Sequence, residues 1–352
     1  WAGIGDWLTG LEFRCVLFRS GDTAQLRTPG FETPGEITQR KLALTLAACL
    51  LLAVPCRAPA MIDGIEGTEF TLTAKEGHIV GGDGQSIYMW GYANGNGTMQ
   101  YTGPTLIVPQ GAAVTVTLVN TLPVPSSIVF PGQAGVAARG GIPGLFVREA
   151  PSGGSVAYTF TASQAGTYTY YSGSRPDLQV EMGLVGALIV RPRGFDPGSP
   201  RAYAHRDSAY DDEFLFLLSD LDPVIHRQME FGQAGEVDNP AFWPTYWFIN
   251  GRNAPDTMLD AGVPWLPNQP YNCMPMMEPG QKILYRFIGG GRDAHPLHTH
   301  GNNFLVIARD GRMLESVPGV SGPDLAVSEF TIAVAPGARS EERRVGKECS
   351  CR

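Results

Sequence analysis

The sequence predicts an all-β protein built as two consecutive β-sandwiches, and three observations carry that prediction. Gly and Pro are abundant (44 and 28 of 352 residues) while charged residues make up only 17%, a mixture suited to short strands and turns rather than helical bundles. Apolar and polar residues alternate over short runs, as in Val114-Thr-Val-Thr-Leu118, where Val114, Val116 and Leu118 share one face. The turn-then-strand layout of Val108 to Val116 recurs at Glu278 to Phe287, so the chain divides into two similar halves.

In the first half, Phe70-Thr-Leu-Thr alternates, Leu106-Ile-Val-Pro-Gln-Gly111 is a strand and turn, and Gly166 to Tyr171 and Leu184 to Val190 complete a sandwich-like set. In the second half, Phe214 to Leu218 is a buried strand, followed by strands at Ile283 to Phe287, Phe304 to Ile307 and Phe330 to Val334. Pro192 to Ala209, rich in Pro, Gly and charge, is the expected linker, and Asp310-Gly311 is a hairpin turn. The resulting division places the first sandwich in 61–195 and the second in 196–339.

Residues 1–60 are expected to be a non-native leader followed by a signal peptide. No Met precedes Met61. Arg40-Lys41 followed by the apolar run Leu42 to Val54 gives a positive n-region and an h-region, and Ala58-Pro-Ala60 supplies a cleavage signal. The run is too short for a membrane span, which needs roughly 20 residues. The expectation is an exported protein, periplasmic or extracellular, with no membrane span. Leu11 to Ser20 and the charge-dense stretch from Ser340 to Arg352 resemble translated adapter sequence, so 340–352 is expected to be a non-native tail and the chain incomplete. Of six cysteines only Cys273 lies outside these segments, so no disulfide framework follows. The net charge of −8 and the lack of a basic stripe argue against a nucleic-acid partner.

The chemistry-bearing segment is His295-Pro-Leu-His298-Thr-His300-Gly, which holds three of the six histidines. Neutral imidazole is the commonest ligand for copper, zinc and iron. On an extended backbone, residues two apart point the same way, so His298 and His300 face one centre while His295, at the opposite parity, serves another. Asp293, two residues before His295, is the expected carboxylate orienting an imidazole from behind. A surface cluster or an adventitious zinc site is the alternative reading of the same residues.

With these residues in view, the chain resembles the multicopper oxidases, built from tandem cupredoxin-like Greek-key sandwiches. Gly103 to Asn120 is similar to the family's first-domain signature, Gly166-Thr-Tyr-Thr-Tyr and Gly183 to Val190 to its later part, and Phe248-Ile-Asn-Gly251, Pro279-Gly280 and the histidine string follow in order. The resemblance covers roughly residues 66–340. It implies that His295 is the type 1 copper ligand, His298 the type 2 ligand and His300 a type 3 ligand, with dioxygen reduced to water at the cluster. The implied electron donor is a phenol, a metal ion or a redox protein.

The first domain departs from the family pattern. Where the family has two His-x-His pairs, the aligned positions are Val129, Pro131, Tyr171 and Gly173, none a normal cluster ligand. The family's final His-Cys-His string would lie beyond Gly337. Cys273, beside Met274-Pro-Met-Met277, is expected in loop or core packing rather than as a substitute ligand. Further domains or another subunit are therefore expected to complete the cluster, and the chain alone is expected to be inactive. The alternative is an exported, copper-free cupredoxin scaffold or interaction protein. A copper nitrite reductase is disfavoured, because its type 1 ligands lie in the first domain. Of the remaining features, His78, His205 and His226 are expected as surface or capped residues, Asp220 and Asp222 as loop chemistry, and Trp243 to Trp247 as core packing.

Overall fold

The structure, a computed structural model, describes residues 61–345. The leader, the signal segment and residues 346–352 lie outside the described residues. The first half contributes nine strands: β1 (Ile65–Glu66), β2 (Glu69–Val80), β3 (Ser86–Asn94), β4 (Gly103–Pro109), β5 (Ala113–Asn120), β6 (Ala137–Gly140), β7 (Ser155–Thr161), β8 (Gly166–Tyr171) and β9 (Val185–Arg191). They form a four-stranded sheet in the order β1-β4-β9-β8 and a five-stranded sheet in the order β3-β2-β5-β7-β6. Period-two alternation in β5 and β7 turns one face of each inward, and Leu72, Tyr92, Val116, Leu118, Tyr158 and Leu188 meet there in one buried core. A short helix, α1 (Pro176–Gln179), precedes β9.

The second half contributes β10 (Asp212–Leu221), helix α2 (Pro223–Glu230), β11 (Tyr246–Ile249), β12 (Lys282–Gly289), β13 (His295–His298), β14 (Phe304–Arg309), β15 (Arg312–Met313), β16 (Val327–Glu329), β17 (Thr331–Val334) and β18 (Arg339–Val345). Its main sheet runs β11-β10-β12-β18-β14-β15, with β16 on β14. β13 and β17 form a separate antiparallel ribbon, with His295 opposite Val334 and His298 opposite Thr331. The β14–β15 hairpin turns on Asp310 and Gly311, both at positive φ (51° and 74°), the type I′ geometry that the Asp-Gly pair favours. α2 starts where Asp222 accepts a hydrogen bond from Val224 N, with Pro223 at its first position.

The described residues fall in a single compact unit. The reason is a third core shared by both sandwiches. β9 is buried on both faces: Leu188 and Val190 point into the first core, while Val185 and Ala187 point the other way. On that side they join Met89, Met99 and Tyr101 from the first half and Leu217, Leu221, Phe248 and Ile288 from the second. Fully burying each large apolar side chain is worth roughly 1.5–3 kcal/mol. Polar ties cross the same boundary, including a 2.6 Å hydrogen bond between the Tyr101 hydroxyl and Ser219 Oγ. Arg286 donates to Glu213 at 2.9 Å and to Thr167 Oγ1 at 3.0 Å, and Glu213 also pairs with Arg191.

One sequence expectation changes here. Residues 340–345, expected as part of a charge-dense tail, are strand, with β18 paired to β12 and β14. The strand has no apolar alternation. It is held by backbone pairing and by Glu341, which accepts from Arg286 at 2.7 Å. Glu342 is also buried, and burial pushes its carboxyl up to about 8.

Candidate metal centre

The histidine string enters through a turn that the sequence makes possible with three consecutive glycines, Gly289 to Gly291. A Cβ at Gly291 would lie 1.8 Å from Asp220 Oδ1, so only glycine lets the chain wrap the carboxylate at the end of β10. Asp220 Oδ1 accepts from the backbone N–H of Arg292 (2.9 Å) and of Asp293 (3.2 Å). β13 then runs with alternating burial, His295 and Leu297 half-buried, Pro296 and His298 exposed. Leu297 packs against the core of the second half, formed by Phe216, Phe287, Phe304 and Ile332, which fixes the register of the ribbon.

His298, at the end of β13, and His300, in the turn beyond it, line one cleft, and His295 does not. His298 and His300 are both exposed, with ring centroids 5.0 Å apart, edge to face. They line an open cleft of roughly 780 Å³ with Thr299, Asn302, Phe330 and Arg343. His298 Nδ1 is 2.8 Å from Thr331 Oγ1, which leaves Nε2 directed away from the ribbon, and Phe330 meets the His298 ring edge-on at 5.6 Å. His295 points to the other side. Its side chain is 14% exposed and its Nε2 lies 3.5 Å from Asp220 Oδ1.

Asp293 is exposed, and the carboxylate beside His295 is that of Asp220. Asp293 is the nearer aspartate along the chain, whereas Asp220 arrives from β10. The signal that could have found it is the triple glycine before the histidines, which needs a partner close to its backbone. Asp222 is the cap of α2 and also accepts from Trp243 N at 2.9 Å. His226 departs from expectation. It is buried, with Nδ1 2.6 Å from the Tyr88 carbonyl and Nε2 3.6 Å from the buried Glu181. Trp243 and Trp247 are exposed rather than core.

The four first-domain positions are drawn together but carry no ligand set. Val129 and Tyr171 pair through their backbones (2.8 and 3.2 Å). Gly173 sits against Val129, where a Cβ would be 2.7 Å from Val129 Cγ1. Pro131 is half-buried on the same segment. Behind them Ser174 Oγ donates to Glu149 at 2.6 Å and meets Ser127 Oγ at 2.9 Å. Cys273 is buried, its thiol 2.9 Å from the Ile249 carbonyl, and burial pushes its pKa up to about 12. Among the described residues no group of three or more His, Cys, Asp or Glu converges as a complete metal site. His298 and His300 thus present two neighbouring imidazoles at the cleft, donor chemistry of a kind that suits copper.

Comparison with known proteins bears on the fold. The multicopper oxidase family profile matches residues 75–194. Over 301 residues the chain is 27% identical to copper resistance protein A of Escherichia coli, covering 77% of this chain and 45% of that protein. It is 28% identical over 255 residues to laccase-1 of Cryptococcus neoformans, covering 68% and 36% respectively. The fold matches the crystal structure of the blue copper oxidase from Nitrosomonas europaea with a TM-score of 0.61, at 24% identity over 79% of this chain and 76% of that one. These likenesses support a member of the multicopper oxidase family, the family profile falling on the first sandwich. The chain is an all-β protein of cupredoxin-like sandwiches, and it spans less than half the length of the curated relatives just named. Among the described residues no helix is long and apolar enough to cross a membrane.

Proposed function

We propose that this chain is part of a copper-binding oxidoreductase that couples one-electron oxidation of a donor to reduction of dioxygen to water. The observation that carries the reading is the pair His298 and His300, whose rings stand 5.0 Å apart at an open cleft while Thr331 occupies the inner nitrogen of His298. In this reading His295 holds a type 1 copper, His298 a type 2 copper and His300 a type 3 copper. Copper, when bound, supplies one-electron transfer, and imidazole suits both of its common oxidation states.

The chain's own residues do the remaining work. Thr331 fixes the His298 ring, Leu297 anchors the ribbon, and the 299–303 turn presents His300, its bend closed by Thr299 Oγ1 donating to the Asn302 carbonyl at 2.6 Å. The donor is a phenol, a metal ion or a redox protein, and the protein works outside the cytoplasm. Other ligands come from further domains or subunits, because Val129, Pro131, Tyr171 and Gly173 offer none. By itself the chain has little or no oxidase turnover. The occupied first-domain positions also favour a second reading, an exported copper-free scaffold or interaction protein.

Copper(II) titration of the full chain followed by elemental analysis separates the two. The oxidoreductase reading expects copper to be retained and lost from the His298→Ala/His300→Ala variant, without an intense blue thiolate band. Equal copper in the wild type and the variant leaves the scaffold reading.

A further inference from the structure

We propose that Asp220 is a positioning residue for His295. It closes the glycine turn that leads into the histidine string and holds the proton of His295 Nε2, so that Nδ1 is the nitrogen left open to a metal. The metal half of this statement rests on the proposed role of His295. The hydrogen-bonding half does not.

The geometry points to it in three steps. The Asp220 side chain has no exposure to solvent, and its oxygens accept from the Arg292 N–H (2.9 and 3.2 Å) and the Asp293 N–H (3.2 Å). An ionised carboxylate accepts only. His295 Nε2 is buried and has no hydrogen-bond partner, and at 3.5 Å Asp220 Oδ1 is the group it faces. A buried polar atom is expected to be satisfied, and a small ring rotation converts this approach into a hydrogen bond only if Nε2 carries the proton. Nδ1 then keeps its lone pair. A metal-bound histidine commonly donates its other N–H to a carboxylate, the arrangement that this approach would complete.

Three contacts of Arg292 hold the turn against both sandwiches. The Arg292 guanidinium donates to Asn239 Oδ1 at 2.9 Å, lies 3.5 Å from Glu181, and stacks 4.4 Å from the centre of the Phe242 ring. Gly291 leaves no space between turn and carboxylate. His298, by contrast, is constrained at Nδ1, so the two histidines present opposite nitrogens.

The test is long-range proton–nitrogen NMR of the metal-free full chain with nitrogen-labelled histidine. In the wild type, His295 is expected as the Nε2–H tautomer. Asp220→Asn removes the charge, and Gly291→Ala displaces the carboxylate without altering it. Both are expected to give averaged ring-nitrogen shifts at His295 while the His298 shifts stay in place. Substoichiometric copper(II) should broaden His295 in the wild type, and the variants should need on the order of 10-fold more copper for equal broadening. A wild-type Nδ1–H tautomer, or unchanged shifts in both variants, overturns the proposal, and the wild-type spectrum decides even if a variant does not fold. An Nε2–H tautomer that copper leaves sharp upholds the hydrogen bond and removes the metal role of His295.

Discussion

Arg286 and Glu213 meet at 2.9 Å, each side chain no more than 1% exposed, one on β12 and the other on the parallel neighbour β10. Arg191, at the end of β9, pairs with the same carboxylate, so one buried anion ties the first sandwich to the second. Breaking such a pair leaves an uncompensated charge in the interior. Arg286→Met is expected to cost about 3–5 kcal/mol, read from urea denaturation.

The same carboxylate sets an acid dependence. Burial pushes the Glu213 carboxyl up, but the Arg286 and Arg191 guanidiniums outweigh it and hold it below the usual carboxylate range. A depressed folded-state pKa gives stability that is present above the unfolded value, 4.5, and is lost as pH falls through the folded value. Denaturation midpoints of the wild type should therefore fall below about pH 4.5, and Glu213→Gln should flatten that fall.

Gly173 lies against the stiff, β-branched Val129. Gly173→Ala is expected to destabilise by about 1–3 kcal/mol through overpacking, and Val129→Ala in the same chain should recover part of the loss. Thermal denaturation of the two single variants and the double variant measures this. Equal, additive losses would mean that the two positions do not touch.

Cys273 should be inert to thiol reagents in the folded state at pH 8, since burial holds its pKa near 12, and should react at once in denaturant. The folded state keeps the proton, so this group's stabilising contribution is present below the model-compound value of 9.0 and is lost as pH rises toward 12. Rapid labelling of the native chain at Cys273 would contradict the burial.

The strands were legible because alternation is a local signal. Val114 to Leu118 and Phe304 to Ile307 fall within β5 and β14, and Asp310-Gly311 turns as its residue types require. Strand alternation places His295 and His298 on opposite faces of β13, whereas His300 lies in the turn beyond it, where that local signal ends. Asp220 was not legible, because its partnership with the 291–293 turn spans about seventy residues and depends on which strand lies beside which. His226 looked isolated because Glu181 and Tyr88 reach it from the other sandwich. Residues 340–345 looked like a tail because their strand has no apolar rhythm, and backbone pairing with a buried ion pair replaces it.

The strand β9, covered on both flanks, has a consequence for how the molecule is divided. Neither half is self-sufficient: severing the chain in the 192–211 connection would strip Val185, Ala187 and Met89 of their cover on one side and Leu217, Leu221 and Ile288 on the other. Each piece expressed separately would carry a greasy scar and clump, whereas the uncut chain should melt in a single cooperative step.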